Sequence, residues 1–229
     1  MKKGVFIVID GTDGSGKATQ TKLLAENLEK SGCKIKTIDF PQYENNFFGK
    51  MVGRYLSGEF GSSSEVSPYL ASILYAGDRF EEKEIIEKWL NEGFIVIADR
   101  YASSNQIHQG GKISDSLKRK EFLAWLEELE YKVFKIPRPD AIIYLDMPIV
   151  VSQKLLKTKD SQKKKTYLKG KKDIHESDLE HLSDAKNSAI ELVKNNNNWI
   201  KISCAKNGKP LALEEISRNI MEKIMPLLR

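Results

Sequence analysis

Cysteine is almost missing: Cys33 and Cys204 are the only two and lie far apart, and no C-x-x-C pair occurs. That excludes a zinc ribbon, a thioredoxin-type redox motif and a disulfide-stapled scaffold, and it predicts two free thiols in a reducing compartment. Long apolar runs are missing too. The longest, such as Val5–Ile9 and Phe94–Ala98, are strand-sized and too short to span a bilayer. Met1 is followed almost at once by such a run, with no room for a secretory leader, so a cytoplasmic protein without a membrane partner is expected. Glycine (15) and proline (7) are too few for a collagen-like or low-complexity chain, and no internal repeat is visible.

What is present is ordinary for a folded domain. Of 229 residues, 40% are hydrophobic and 30% charged, enough for one well-buried core. No composition shift marks a boundary, so residues 1–229 read as a single domain. The formal net charge is +5. Much of the basic excess sits in one place, Lys159–Lys172, which is rich in lysine, contains Gly170 and has few apolar residues. A solvated charged loop is one reading of this segment; a mobile lid at about 157–172 that meets polyphosphate is the other.

Apolar runs alternate with helical patterns. Strands are expected at Val5–Ile9, Lys34–Asp39, Phe94–Ala98, Ala141–Leu145 and Trp199–Ser203. Helices are expected at Lys17–Ser31, Pro68–Leu90, Ser116–Glu130 and about Leu213–Leu228. Repeated strand–helix alternation with continuously apolar strands implies an α/β three-layer fold: a five-stranded parallel sheet with helices on both faces.

Directly after the first strand comes Gly11-Thr12-Asp13-Gly14-Ser15-Gly16-Lys17-Ala18, matching G-x-x-x-x-G-K between a strand and a helix. Glycines let successive N–H groups turn onto phosphate oxygens, the helix N-terminus adds its positive dipole end, and Lys17 reaches the β and γ phosphates. Ala18 stands where a serine or threonine normally offers a hydroxyl to magnesium. Thr19 is placed to hydrogen-bond the α-phosphate, but the helix turns it about 100° from position 18. Water with carboxylates from elsewhere would then hold the ion.

Other strand ends converge on the same edge of such a sheet. Phe40-Pro41-Gln42-Tyr43 follows the second strand, and Asp99-Arg100-Tyr101 the third. Arg100 suits a bidentate grip on phosphate, and Asp99 suits a second magnesium anchor. The alternative for Asp99 and Arg100 is a local ion pair.

With these motifs and with Ser104-Asn105, the chain resembles the thymidylate kinase family. The resemblance implies a P-loop fold, transfer of phosphate from ATP to dTMP with magnesium, and a homodimer. By position, it would put Asp13 near the sugar hydroxyl and the transferring phosphoryl group, with Asp13 and Asp99 organising magnesium. Phe40 and Tyr43 would border the acceptor nucleotide, Tyr75 would stack on the base and Arg79 would contact a base oxygen. Arg100 would hold the acceptor phosphate, and Ser104 and Asn105 would face the base. Asp173 and Glu176 would turn toward the ligand, and Ala205 and Lys206 would border adenine.

Three features differ from the family pattern: Ala18; His108, where the family commonly has tyrosine beneath the deoxyribose; and a lysine-rich segment without arginine. They keep two alternatives open, another deoxynucleoside monophosphate kinase and a weakly catalytic nucleotide sensor. A GTPase switch lacks its N-K-x-D motif. A nucleic-acid-binding module lacks the spread of basic residues interleaved with aromatics.

Overall fold

Val5–Gly11 (β1) lies at the centre of the sheet because both of its faces are apolar and both edges find partners. It pairs in parallel with Ile95–Asp99 (β3), with Ile9 opposite Asp99, and with Ala141–Asp146 (β4), with Ile7 opposite Ala141. Ile35–Asp39 (β2) pairs with β3 and Trp199–Ser203 (β5) with β4, giving the order β2–β3–β1–β4–β5, all parallel. The computed structural model describes residues 3–160 and 179–228. Among the described residues, no helix is long and apolar enough to cross a membrane.

Alternation along the central strands feeds two cores. Ile7, Ile9, Ile97, Ile143 and Leu145 face Lys17–Lys30 (α1) and Leu213–Ile224 (α9) through Leu24, Leu28, Ile216 and Ile220. Phe6, Val8, Val96 and Tyr144 face the other layer, where Ile86, Ile107, Ala185 and Leu192 pack. Truncating one such residue, for example Ile9→Ala, removes contacts worth about 2–5 kcal/mol. The edge strands are less apolar than the centre: β2 buries only Ile38, and β5 buries Trp199 on one face and Ile202 on the other. A continuous apolar run is needed only where both neighbours and both faces are covered.

Several helical boundaries differ from the expected ones. The expected helix Pro68–Leu90 is two helices, Pro68–Glu81 (α3) and Lys83–Asn91 (α4), with the break at Glu82. The break brings Glu81 and Glu82 to the start of Phe47–Leu56 (α2), in sequence that reads as polar and turn-rich. The Phe48 N–H donates to Glu81 at 2.9 Å, and Asn46 Nδ2 donates to Glu82 at 3.1 Å. Asn46 also caps α2, accepting from the Gly49 N–H at 2.6 Å. Ala102–Gly111 (α5) is short and polar at its start, hence unread in the sequence. Ser116–Glu128 (α6) ends two residues earlier than expected, in a wider turn over Leu129–Val133 where the Phe134 N–H donates to the Leu129 carbonyl at 2.9 Å. Ile149–Asp160 (α7) and Leu179–Asn195 (α8) flank the lysine-rich segment. The last helix ends at Ile224, ahead of a short turn containing Pro226.

Candidate active site

The carboxyl ends of β1, β2 and β3 open onto one cleft. The phosphate loop joins β1 to α1 with Gly14 at φ +79°, and a methyl group there would lie 2.5 Å from the Ser152 carbonyl of α7. Only glycine fits that contact and that conformation. Lys17 is buried, and its ammonium donates to the carbonyls of Gly11 at 2.9 Å and Thr12 at 3.0 Å, with Asp13 3.6 Å away. Burial lowers its pKa and Arg100 adds repulsion, while Asp13, Asp99 and Asp10 work in the opposite direction.

Beside the loop lies a partly open pocket. Asp13, Phe40, Tyr43, Tyr75, Arg79, Arg100, Ser104, Asn105 and His108, all singled out from the sequence, line it together. Phe40 is buried and packs on Tyr101 at 5.6 Å between ring centroids. Tyr75 meets Tyr55 edge-on. The Gln42 N–H and Asn46 Nδ2 both donate to Asp78, fixing the Phe40–Tyr43 loop against α3.

Arg100 has φ +69°, a conformation that aims its side chain back over the loop, and its guanidinium pairs with Asp13. Burial works against its charge, but Asp13, Asp10 and Asp99 outweigh it, so its pKa lies above the ordinary arginine value. Arg100 Nη1 lies 3.4 Å from His108 Nε2, and His108 Nδ1 lies 3.4 Å from Nε2 of the stacked His181. Ser104 borders the pocket, yet its hydroxyl donates to Asp10 at 2.9 Å and not toward the pocket. Ala205 and Lys206 form the first strand of a small hairpin after β5 and do not line this pocket. Asp173, Glu176 and most of the expected lid, including its lysines from 163 to 172, lie outside the described residues.

Three residues escaped the sequence reading. Asp10, fully buried at the end of β1, accepts from Ser103, Ser104 and the Gly11 N–H and so ties α5 to the loop. Gln109 lines the pocket with an Oε1 that has no hydrogen-bond partner among the described residues. Glu130, in the wide turn after α6, forms a buried ion pair with Arg79. Only Asp10 carried a local signal, an acidic residue ending an apolar run immediately before the glycine loop.

Magnesium fits one side of the loop. Asp99 and Ala18 border the same shallow groove, and Asp99 Oδ1 is buried without a hydrogen-bond partner among the described residues. Burial raises the Asp99 pKa, opposed by Lys17 and Arg100. A cation there would relieve an orphaned oxygen. Asp13 is already shared between Arg100 and Lys17.

Comparison with known proteins agrees with this geometry. Residues 9–216 match the family described as thymidylate kinase. The chain is 38% identical over 157 residues, 68% of its length, to a probable thymidylate kinase of Pyrococcus horikoshii, of which 71% is covered. It is 28% identical over 224 residues, 96% of its length, to a thymidylate kinase of Prochlorococcus marinus, of which 93% is covered. In fold it is similar to a structure of thymidylate kinase from Candida albicans, with a TM-score of 0.71 at 22% identity, over 98% of this chain and 92% of that one.

Proposed function

The chain belongs to the thymidylate kinase family, enzymes built on a P-loop, and from that premise we propose that it transfers the γ-phosphoryl group of ATP to dTMP with magnesium. The observation that carries this reading is the pocket itself. Arg100 and Asp13 stand at the phosphate-loop end, while Tyr75, Arg79, Asn105 and Gln109 supply an aromatic face with hydrogen-bonding groups.

Phosphoryl transfer asks the protein to hold two nucleotides in line and to neutralise charge as it develops. Lys17 and the loop N–H groups hold the polyphosphate. Arg100 takes the acceptor phosphate, and Asp13 holds the guanidinium over the loop until that phosphate arrives. Tyr75 stacks on the base, Arg79 meets a base oxygen, and His108 lies under the sugar. Asp99, with water, would hold magnesium, which supplies charge neutralisation between the phosphates when bound. Asp173, Glu176 and the lysine-rich lid would close over the ligands, and Lys206 would border adenine. Exposed apolar side chains on α3, among them Leu70 and Phe80, favour a homodimer, which sedimentation would test.

A coupled assay of ADP formation with dTMP, dUMP, dCMP, dGMP and UMP decides the acceptor. Preference for dTMP is expected; a purine preference would overturn the reading. Neutralising Lys163, Lys164 and Lys165 together should lower turnover if that segment is a lid, whereas a solvated loop would leave turnover unchanged.

A further inference from the structure

Glu130 does not line the pocket, yet two of the residues that do are held by it. It is 1% exposed. Its position in the wide turn at Leu129–Val133 directs its carboxylate inward, where three N–H groups from two other elements meet it. Arg79 Nε donates to Oε2 at 3.0 Å, Arg79 Nη2 donates to Oε1, and Asn105 Nδ2 donates to Oε1 at 3.3 Å. The same Asn105 nitrogen donates to the Ser72 carbonyl at 3.2 Å.

Two acceptors on one amide nitrogen remove a choice. A carboxylate and a backbone carbonyl only accept, so the Asn105 amide cannot turn over without setting oxygen against oxygen. Its NH₂ faces Glu130 and Ser72, which leaves Oδ1 to the pocket. Arg79 only donates. With Nε and Nη2 engaged by Glu130, its Nη1 edge remains for a ligand. This end of the pocket therefore offers a donor and an acceptor in a fixed order. It is also nearly uncharged, because the guanidinium and carboxylate cancel, so a phosphate gains little by entering reversed.

We propose that Glu130 is a positioning residue that selects a heterocycle edge carrying a carbonyl acceptor beside an N–H donor. Thymine and uracil have that order. Cytosine, with an amino donor beside a ring-nitrogen acceptor, has the reverse and would leave buried groups unpaired. The inference rests on the reading of the pocket as the nucleoside monophosphate acceptor site.

The test compares kcat/KM for dTMP and dCMP at saturating ATP in the natural protein, Glu130→Gln and Glu130→Asp, with folding checked by thermal unfolding. A glutamine at 130 both donates and accepts, so the Asn105 amide keeps only the Ser72 carbonyl to hold its orientation and Arg79 loses its anion. The dTMP-to-dCMP ratio should fall by ~10-fold or more, with the KM for acceptor rising and that for ATP unmoved. Glu130→Asp keeps the charge beside Arg79, and with it the fold, but draws the carboxylate back from Asn105. It decides the matter if the glutamine variant does not fold, with an expected drop of roughly 3-fold or more. A ratio unchanged in the folded variants overturns the role of Glu130 alone. A natural protein with no preference for dTMP over dCMP overturns the acceptor reading itself.

Discussion

Two arginines stand in the wall of one pocket, and they are built in opposite ways. Arg79 is inside a helix, 2% exposed, with its guanidinium committed to a carboxylate that is equally buried. Arg100 sits at a strand end with φ +69°, its side chain 22% exposed, paired with an aspartate of the phosphate loop. The first pair has no water to fall back on, so each charge depends on the other. The second can exchange its partner, since incoming phosphate can take the place of Asp13 with solvent close by. A fixed cation suits an uncharged base edge, and an exchangeable one suits a phosphate that must enter and leave.

The largest expected effect tests the fixed pair. Arg79→Ala strands Glu130 as a lone buried charge and should cost about 3–5 kcal/mol of stability, read from chemical denaturation. A loss as small as that of a surface mutation would mean that water reaches Glu130.

Next comes Asp78, adjacent to Arg79 and fully buried, whose partners among the neutral donors are the Gln42 N–H and Asn46 Nδ2. Burial, partly offset by the Asn46 hydrogen bond and by Arg79, raises its pKa from 3.8 to about 6. The folded protein thus holds this proton more tightly than the unfolded chain does. The resulting stability is full below pH 3.8 and is lost as pH rises through about 6. Asp78→Asn should flatten that decline by on the order of 2–3 kcal/mol between pH 4 and pH 7. Parallel stability–pH curves for the two proteins would show that Asp78 is solvated.

The exchangeable arginine should fail differently. Arg100→Ala is expected to lower kcat/KM for dTMP by ~10²-fold through the acceptor KM, with little change in stability. Equal rises in the KM for ATP and for dTMP would make Arg100 structural.

The smallest effect separates the two backbones. At position 100 the left-handed conformation favours glycine, so Arg100→Gly should be more stable than Arg100→Ala by about 0.5–1 kcal/mol. At position 79, inside α3, the order should reverse by about 1 kcal/mol. The same sign at both sites would refute the conformational difference.

The exchangeable side of this comparison was legible in the sequence and the fixed side was not. Gly11–Lys17 is a local pattern, with strand, glycines and helix contiguous, so its geometry follows from neighbours in the chain. Arg100 and Tyr43 follow strands whose ends must meet at one edge of a parallel sheet. Arg79 could be placed only by resemblance, and its partner not at all, because 51 residues and a wide helical turn separate it from Glu130. Asp10 and Ser103 are 93 residues apart. The same holds for α2, whose start is capped by Asn46 and braced by Glu81 and Glu82, and whose Gly49 and Gly53 hide its helical pattern. Periodicity reports what one element buries, not which distant side chain completes it.

The phosphate loop also sets the terms on which anything enters it. Its lysine is already coordinated, by two carbonyls of the loop's own backbone. These carbonyls engage two of the three ammonium N–H groups, so an arriving molecule that makes more than one bond to the lysine competes with protein oxygens and not with water alone. Exchanging one neutral oxygen for another gains almost nothing. Exchanging it for an anionic oxygen gains a charge-assisted bond, roughly twice as strong as a neutral one. The loop therefore discriminates by charge before any contact with base or sugar is made, and a neutral isostere of the polyphosphate would find the seat taken.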